Sequence, residues 1–489
     1  MAQPRRGVSL PRWAGALALT LGLLGCPRRP PAPAAQPDPA PAAPTAPAPS
    51  AAPNTAGSVE APAAPAPGRD DALARRLGAL ADRIVADVAR ARGLAVRGPI
   101  ARGVMGRADI VARLRARTQQ EYGPGEVARE GQLLRRLGLI PATLDYEATL
   151  YALLEEQVLG FYDPDARRLY IADWIPEAAQ ATTMAHELTH ALQDQHFDIG
   201  RFTHHVQGRG DAQTAAMAVL EGDATATMLE FALRPSGRSV GTAPEVVGMI
   251  EGQLAATDQP RLAAAPRALR ETLLFPYIAG LRMCVARLRA AGWPEVDALL
   301  RRPPESTEQV MHPDKLAARE MPVEVGAEVP EPLRGQWVVA YQDVMGEFGA
   351  REFFRAVLSD ARAGEAARGW GGDRALLLVP RASVQEGSDG GVTIPGAALG
   401  QDALVWTVVM DPGTPRDDAE AREFAAGAVE VFGRRHLGRP VVRVAGALTA
   451  REVGDGRVSL VAQAGRRVVV AERIPREQAG ALVRSVLGG

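Results

Sequence analysis

His186-Glu187-Leu188-Thr189-His190 sets two imidazoles four residues apart, with a carboxylate beside the first. In a helix, residues i and i+4 share a face with Cβ atoms about 5–6 Å apart, so both histidines can offer a nitrogen to one ion. Two neutral imidazoles suit zinc, and the carboxylate of Glu187 is placed to take a proton from water held by the metal. The neighbours Thr183, Met184, Ala185, Leu188, Thr189, Ala191 and Leu192 are all uncharged, so these turns read as a buried helix with its ionisable groups confined to the site. In a chain with 7 histidines, this HExxH spacing is improbable by chance. The competing reading is a pair of surface histidines on an ordinary helix.

A catalytic zinc needs a third protein ligand and an open position. Two residues compete for the role. His196 stands six residues after His190, where zinc peptidases of the metzincin type place their third histidine, but those enzymes turn the chain back at a glycine where this sequence has Gln193. If the helix continues, residue 196 is turned about 240° from His190 and displaced about 9 Å along the axis, out of reach of the same ion. Glu221 leaves room for a loop and a second helix packed beside the first. It is the preferred ligand, and His196 is the alternative.

The segment Leu220-Glu221-Gly222-Asp223-Ala224-Thr225 resembles the third-ligand helix of gluzincin zinc metallopeptidases. The chain is more closely similar to a group of largely uncharacterised bacterial envelope lipoproteins predicted to be metallopeptidases. The shared features are the HExxH helix ending Gln193-Asp194-Gln195, the Glu221-Gly222-Asp223-Ala224 segment, Ser306-Thr307-Glu308-Gln309, and Gly369-Trp370-Gly371-Gly372-Asp373-Arg374. The catalytic match runs from about 160 to 231, the looser one from about 131 to 424. The resemblance implies Zn2+ on His186, His190 and Glu221, with Glu187 as general base and later acid in peptide hydrolysis. Many gluzincins carry Asp four residues after the liganding Glu to orient a histidine; here that residue is Thr225, and Asp223 is the substitute on offer.

Such enzymes usually supply a Tyr or His to the oxyanion. His312, after the Ser-Thr-Glu-Gln segment, is the first candidate and Tyr277 the second, although a loop histidine and a core tyrosine are the commoner roles. His204 and His205 obey no spacing rule and are expected at the surface. Trp370 is expected to anchor a turn in the core, with Asp373 and Arg374 satisfying local polar groups; a substrate or partner loop is the alternative.

Hydrophobic residues make up 46% of the 489, and the formal charge is −1 with no long basic run beyond the amino terminus, which argues against nucleic acid as a partner. Arg5, Arg6 and Arg12 precede the uncharged run 13–25, too short to span a bilayer, so 1–25 reads as a signal peptide. It ends Leu23-Leu24-Gly25-Cys26, which resembles the bacterial lipobox and implies lipidation of Cys26. Pro27 is not the aspartate that retains lipoproteins at the inner membrane, so the expectation is the outer membrane, facing the periplasm. Residues 26–69 are dominated by Pro and Ala and read as a disordered tether that lets the folded part sit up to about 100 Å from the anchor. Cys284 is the one other cysteine and reads as a packing thiol.

The folded part divides into a zincin-like domain over 70–330 and a smaller α+β module over 331–489, mainly helical overall. Leu73, Leu77, Leu80, Ile84 and Val88 mark a first helix. Residues 157–172 read as a hairpin around Asp163-Pro164-Asp165-Ala166, directly before the metal helix. One of its strands is expected to pair with extended peptide substrate; a plain core hairpin is the alternative. Thr143 is expected to cap the helix ending near Glu156. Residues 337–358 read as helix. In the last hundred residues four strands (375–379, 403–409, 458–462, 468–471) and two helices (417–432, 476–486) are expected.

Overall fold

The computed structural model describes residues 69–255, 259–386, 392–411 and 417–488. The expected signal peptide, Cys26 and nearly all of the tether lie outside them. The fold is α+β and mainly helical. Among the described residues no helix is long and apolar enough to cross a membrane.

Helix α1 (Arg69–Arg92) buries Leu77, Ala81, Ile84 and Val88 on one face. After it come β1 (Ala101–Met105), α2 (Arg107–Glu121), α3 (Glu126–Leu137) and α4 (Tyr146–Gln157). Asp145, not Thr143, caps α4: its side chain accepts from the Ala148 N–H at 3.0 Å. Thr143 lies too early to reach the free N–H groups of the first turn. The hairpin follows as β2 (Gly160–Asp163) and β3 (Arg168–Ala172). It carries a third strand that the sequence pattern did not reveal, since β1 pairs in parallel with β3, giving the order β1-β3-β2.

Helix α5 (Glu177–Phe197) bears the HExxH residues and runs past Gln193 until Asp198, at φ 53°, turns the chain. Helix α6 (Gly210–Leu233) lies beside it, buried on all sides from Gln213 to Glu230 apart from Thr214. A helix apolar all round belongs in a core. Helix α7 (Arg267–Ala291) crosses α6 where two glycines meet. A Cβ on Gly222 would lie 2.2 Å from the carbonyl carbon of Gly280, and one on Gly280 would lie 2.0 Å from the Ala218 oxygen. Cys284, on α7, is fully buried as expected. Short helices α8 (Trp293–Arg301) and α9 (Thr307–Met311) complete this half.

The second half is an antiparallel six-stranded sheet of β4 (Trp337–Asp343), β5 (Trp370–Pro380), β6 (Ala403–Met410), β7 (Ala447–Gly454), β8 (Arg457–Ala464) and β9 (Arg467–Pro475), in the order β4-β5-β6-β9-β8-β7. Residues 337–358 are therefore not one helix. The run Trp337-Val338-Val339-Ala340-Tyr341 forms β4, and α10 (Gly346–Phe354) starts after the turn. Side chains alternate between two apolar layers. Leu377, Trp406 and Val470 face α10 and α11 (Asp417–Arg435); Leu378, Val405 and Val469 face α12 (Arg476–Leu487). Leu133 and Leu137 of α3 complete the first layer, so the sheet's core draws on residues more than two hundred positions upstream.

The start of α6 is held twice, once from the sheet half and once by α9 of its own half. Asp343, ending β4, accepts from the Gly210 N–H at 2.7 Å. Asp211 accepts from the backbone N–H of Thr307 at 3.1 Å and from its hydroxyl at 2.5 Å.

Candidate metal centre

The i,i+4 spacing on α5 turns His186 and His190 to one side, and α6 brings Glu221 to meet them. The two Nε2 atoms lie 3.1 Å apart; Glu221 Oε2 is 3.1 Å from that of His186 and 3.6 Å from that of His190. Ligand atoms bound at about 2.0–2.1 Å in a tetrahedron stand about 3.3 Å apart. The observed spacings fit that edge, and the donor set, two imidazoles and a carboxylate, suits zinc.

Burial sets the charges. Glu187 is fully buried, and burial pushes its carboxyl up to about 8, against the pull of His190 and weak help from the Tyr162 backbone N–H. Neither carboxylate oxygen has a hydrogen-bond partner of good geometry, and Glu221 Oε1 also lacks one. Burial works against a charged His190, but the charge and hydrogen bond of Glu221 outweigh it and raise the imidazole to about 9. Burial lowers His186. The pocket thus favours positive charge beside Glu221, and it keeps unused oxygens facing inward.

A chain of buried hydrogen bonds holds His190 from behind. Its Nδ1 donates to Gln193 Oε1 at 2.8 Å, and Gln193 Nε2 donates to Asp223 Oδ2 at 2.8 Å and to the Leu220 carbonyl at 3.1 Å. Arg92 Nε donates to Asp223 Oδ1 at 2.6 Å, and its NH2 donates to Asp297 Oδ1 at 2.6 Å. This fixes the tautomer that leaves Nε2 free for a metal. Asp223 therefore does stand in for the acid absent at Thr225, but through Gln193. The sequence pattern marks Gln193 as a departure from the metzincin glycine and as part of the shared Gln-Asp-Gln ending, but not as a partner of His190, and Arg92 is one of many arginines in the chain. Charge at the buried end of an amphipathic helix was the available signal.

The other sequence candidates are placed elsewhere. His196 donates to the Ala95 carbonyl at 2.7 Å, on the far side of a helix that continues as the geometry required. His312 is bound by Glu347, at 2.8 and 2.9 Å. The adjacent Phe348 N–H donates to Thr307, which sits on Asp211. Asp211 is ten residues, about 15 Å along α6, from Glu221. His312 is thus tied to the junction between the halves, and the expectation of an oxyanion donor there is corrected. Tyr277 is the residue delivered to the site: its ring stacks on His186 with centroids 6.2 Å apart, carried there by the glycine crossing of α6 and α7.

His205 is not a surface residue either; it is buried, 2.8 Å from Glu126, and stacked on Tyr122. Trp370 is wholly buried and donates to Asp373, an anchor in the core as expected. A Cβ on Gly372 would lie 2.1 Å from the Val323 oxygen, so the glycines admit a passing segment. A second acidic group, Glu308, Glu320 and Asp411, has metal-like spacing, but the Lys315 ammonium already contacts all three.

Gly160 packs against the site: its Cβ would fall 3.4 Å from Glu187 Cγ. Strand β2, at the edge of its sheet, is therefore the hairpin strand next to the metal helix, yet all four of its residues are buried.

Comparison with known families reaches only the second half. Residues 337–484 match the model of a family described as Domain of unknown function (DUF8575). No curated protein and no solved structure matches the chain. The match covers the six-stranded sheet and leaves α5 and α6 outside it.

Proposed function

We propose that this chain is a zinc-dependent peptidase of the bacterial cell envelope, lipid-anchored through Cys26, probing its surroundings on the Pro/Ala-rich tether and facing the periplasm from the outer membrane. The observation that carries the reading is the meeting of His186, His190 and Glu221 at tetrahedral-edge spacing with the partnerless carboxylate of Glu187 beside them. Zinc held there would supply the positive charge that polarises a peptide carbonyl and acidifies water. Glu187 takes the proton of the attacking water and passes it to the departing amine. Gln193 and Asp223 keep His190 oriented, and Tyr277 brings a hydroxyl-bearing ring against His186. Peptide is the favoured substrate because the HExxH resemblance extends to peptidases.

The test has two parts. Zinc measured on purified protein should fall in Glu221→Ala and stay full in His196→Ala; the reverse pattern overturns the ligand set. Glu187→Gln should keep zinc and lose hydrolysis of a peptide library by about a thousand-fold. Undiminished hydrolysis ends the assignment of Glu187.

A second reading is supported by the depth of the site. His186 and His190 are 3% and 5% exposed, and Glu187 and Glu221 are fully buried. A closed site of this kind also fits a non-catalytic envelope lipoprotein that uses the metal to hold a scaffold for partners. Zinc retention with no cleavage by the parent protein across the library selects that reading.

A further inference from the structure

An apolar cavity lies away from the metal helix, along the first two turns of α6. It encloses about 140 Å³, close to the roughly 150 Å³ of an apolar cavity that admits benzene. Leucines of α3, α4 and α7, among them Leu134, Leu150 and Leu273, give it an apolar wall, and it opens toward solvent beside Thr272.

Its polar lining is one-sided. Four carboxylates border it, those of Glu130, Asp211, Asp343 and Glu352, and among the described residues that line it none is Lys, Arg or His. Glu352 finds its positive charge outside the wall, in Arg355 at 2.7 Å. Asp211 has bonds from Thr307 but no basic partner among the described residues. Burial, with the nearby Asp373 and Asp343, pushes its carboxyl up to about 8 against the help of Thr307. A second, independent group is short of a partner. Gln213 is 8% exposed; its Nε2 donates to the His204 carbonyl, while its Oε1 is buried with no hydrogen bond. The amino end of α6 works against a cation here, but its dipole is equivalent to about half a charge, less than the full charge of an ionised Asp211.

We propose that this cavity is a binding site for a small apolar ligand that ends in an ammonium group, the ring-sized body lying among the leucines and the N–H donors meeting Asp211 and Gln213 Oε1. The site stands apart from the metal centre and does not depend on its chemistry. The same group occurs on a free arylalkylamine and on the amino-terminal aromatic residue of a peptide, and the experiment separates the two.

Phenethylamine, 2-phenylethanol and the peptide Phe-Gly-Gly are titrated by calorimetry into the full-length protein in the presence of a chelator. At pH 9, where Asp211 is ionised, phenethylamine should bind at least about ten-fold tighter than the alcohol, because a charge-assisted bond replaces a neutral one. Asp211→Asn should remove that difference, and Gln213→Met should weaken the amine alone. Leu150→Trp, which fills the space, should abolish binding of both. Binding of Phe-Gly-Gly comparable to the amine assigns the ligand to a chain terminus; binding of the amine alone assigns it to a free small molecule. The proposal is overturned by equal affinity for amine and alcohol, by unchanged binding in Leu150→Trp, or by no binding of any probe at millimolar concentration.

Discussion

Both halves of the molecule bury acids, and those beside His186 and His190 are treated in the opposite way from those beneath the sheet. In the sheet half, Asp373 is fully surrounded by donors: the backbone N–H groups of Met345 and Gly346, and Nε1 of Trp370 and Trp406, all within 2.8–3.1 Å. Glu472 likewise receives Ser459 at 2.5 Å and His436 at 3.1 Å, with Arg435 3.4 Å away. In the helical half, Glu187 has only weak help from the Tyr162 N–H and Glu221 leaves one oxygen bare. A satisfied buried acid organises its surroundings, whereas an unsatisfied one raises the energy of the fold unless another group completes it. The contrast sets the acids that organise the fold apart from the two beside His186 and His190.

The contrast can be broken experimentally. Asp373→Ala strands four donors at once and should lower stability by about 3 kcal/mol while leaving zinc content unchanged; denaturant titration with metal analysis checks both. Gln193→Ala, which frees His190 to rotate, should weaken zinc binding about 10- to 100-fold in a competition assay, with the fold intact by circular dichroism. Asp211 gives a pH signature. Its carboxyl titrates near 8 when folded and near 4 when unfolded. The native state therefore holds a proton that the unfolded chain has released, and stability falls as pH rises between those values. Asp211→Asn should lose this slope and gain on the parent by more than about 1 kcal/mol from pH 5 to pH 9. The smallest effect belongs to Glu187→Gln in the presence of a chelator. Removing a carboxylate that nothing satisfies should shift stability by less than about 1 kcal/mol, in thermal melts against the parent.

Much of this was legible in the sequence where the signal was local. The hairpin, the metal helix and Glu221 depend on periodicity, turn residues and spacing within some sixty positions. The exclusion of His196 followed from helical geometry alone. What escaped was set by distant partners. Strand β1 exists because β3 offers it a parallel edge, and five residues with a glycine among them carry no strand pattern of their own. Residues 337–343 looked helical because both faces of β4 meet apolar layers, which erases the alternation of a half-exposed strand. His312 was misplaced because its neighbours on the chain suggested a site, and only Glu347, from the other half, shows what holds it. Arg92 sits 131 positions before Asp223, which it serves, and Asp297, which holds the other side of Arg92, sits 74 positions after Asp223, both beyond any motif.

That last pair has a practical corollary. The tightest link behind His190 ends on the first helix after the tether and on α8, so the ligands and Glu187 do not form a self-sufficient cassette. A fragment cut to begin at Gly160 would retain His186, Glu187, His190 and Glu221, yet it would leave Asp223 without the Arg92 guanidinium while still holding Gln193. Any effort to transplant this centre into another scaffold, or to shorten the protein for crystallisation, has to carry α1 along with it.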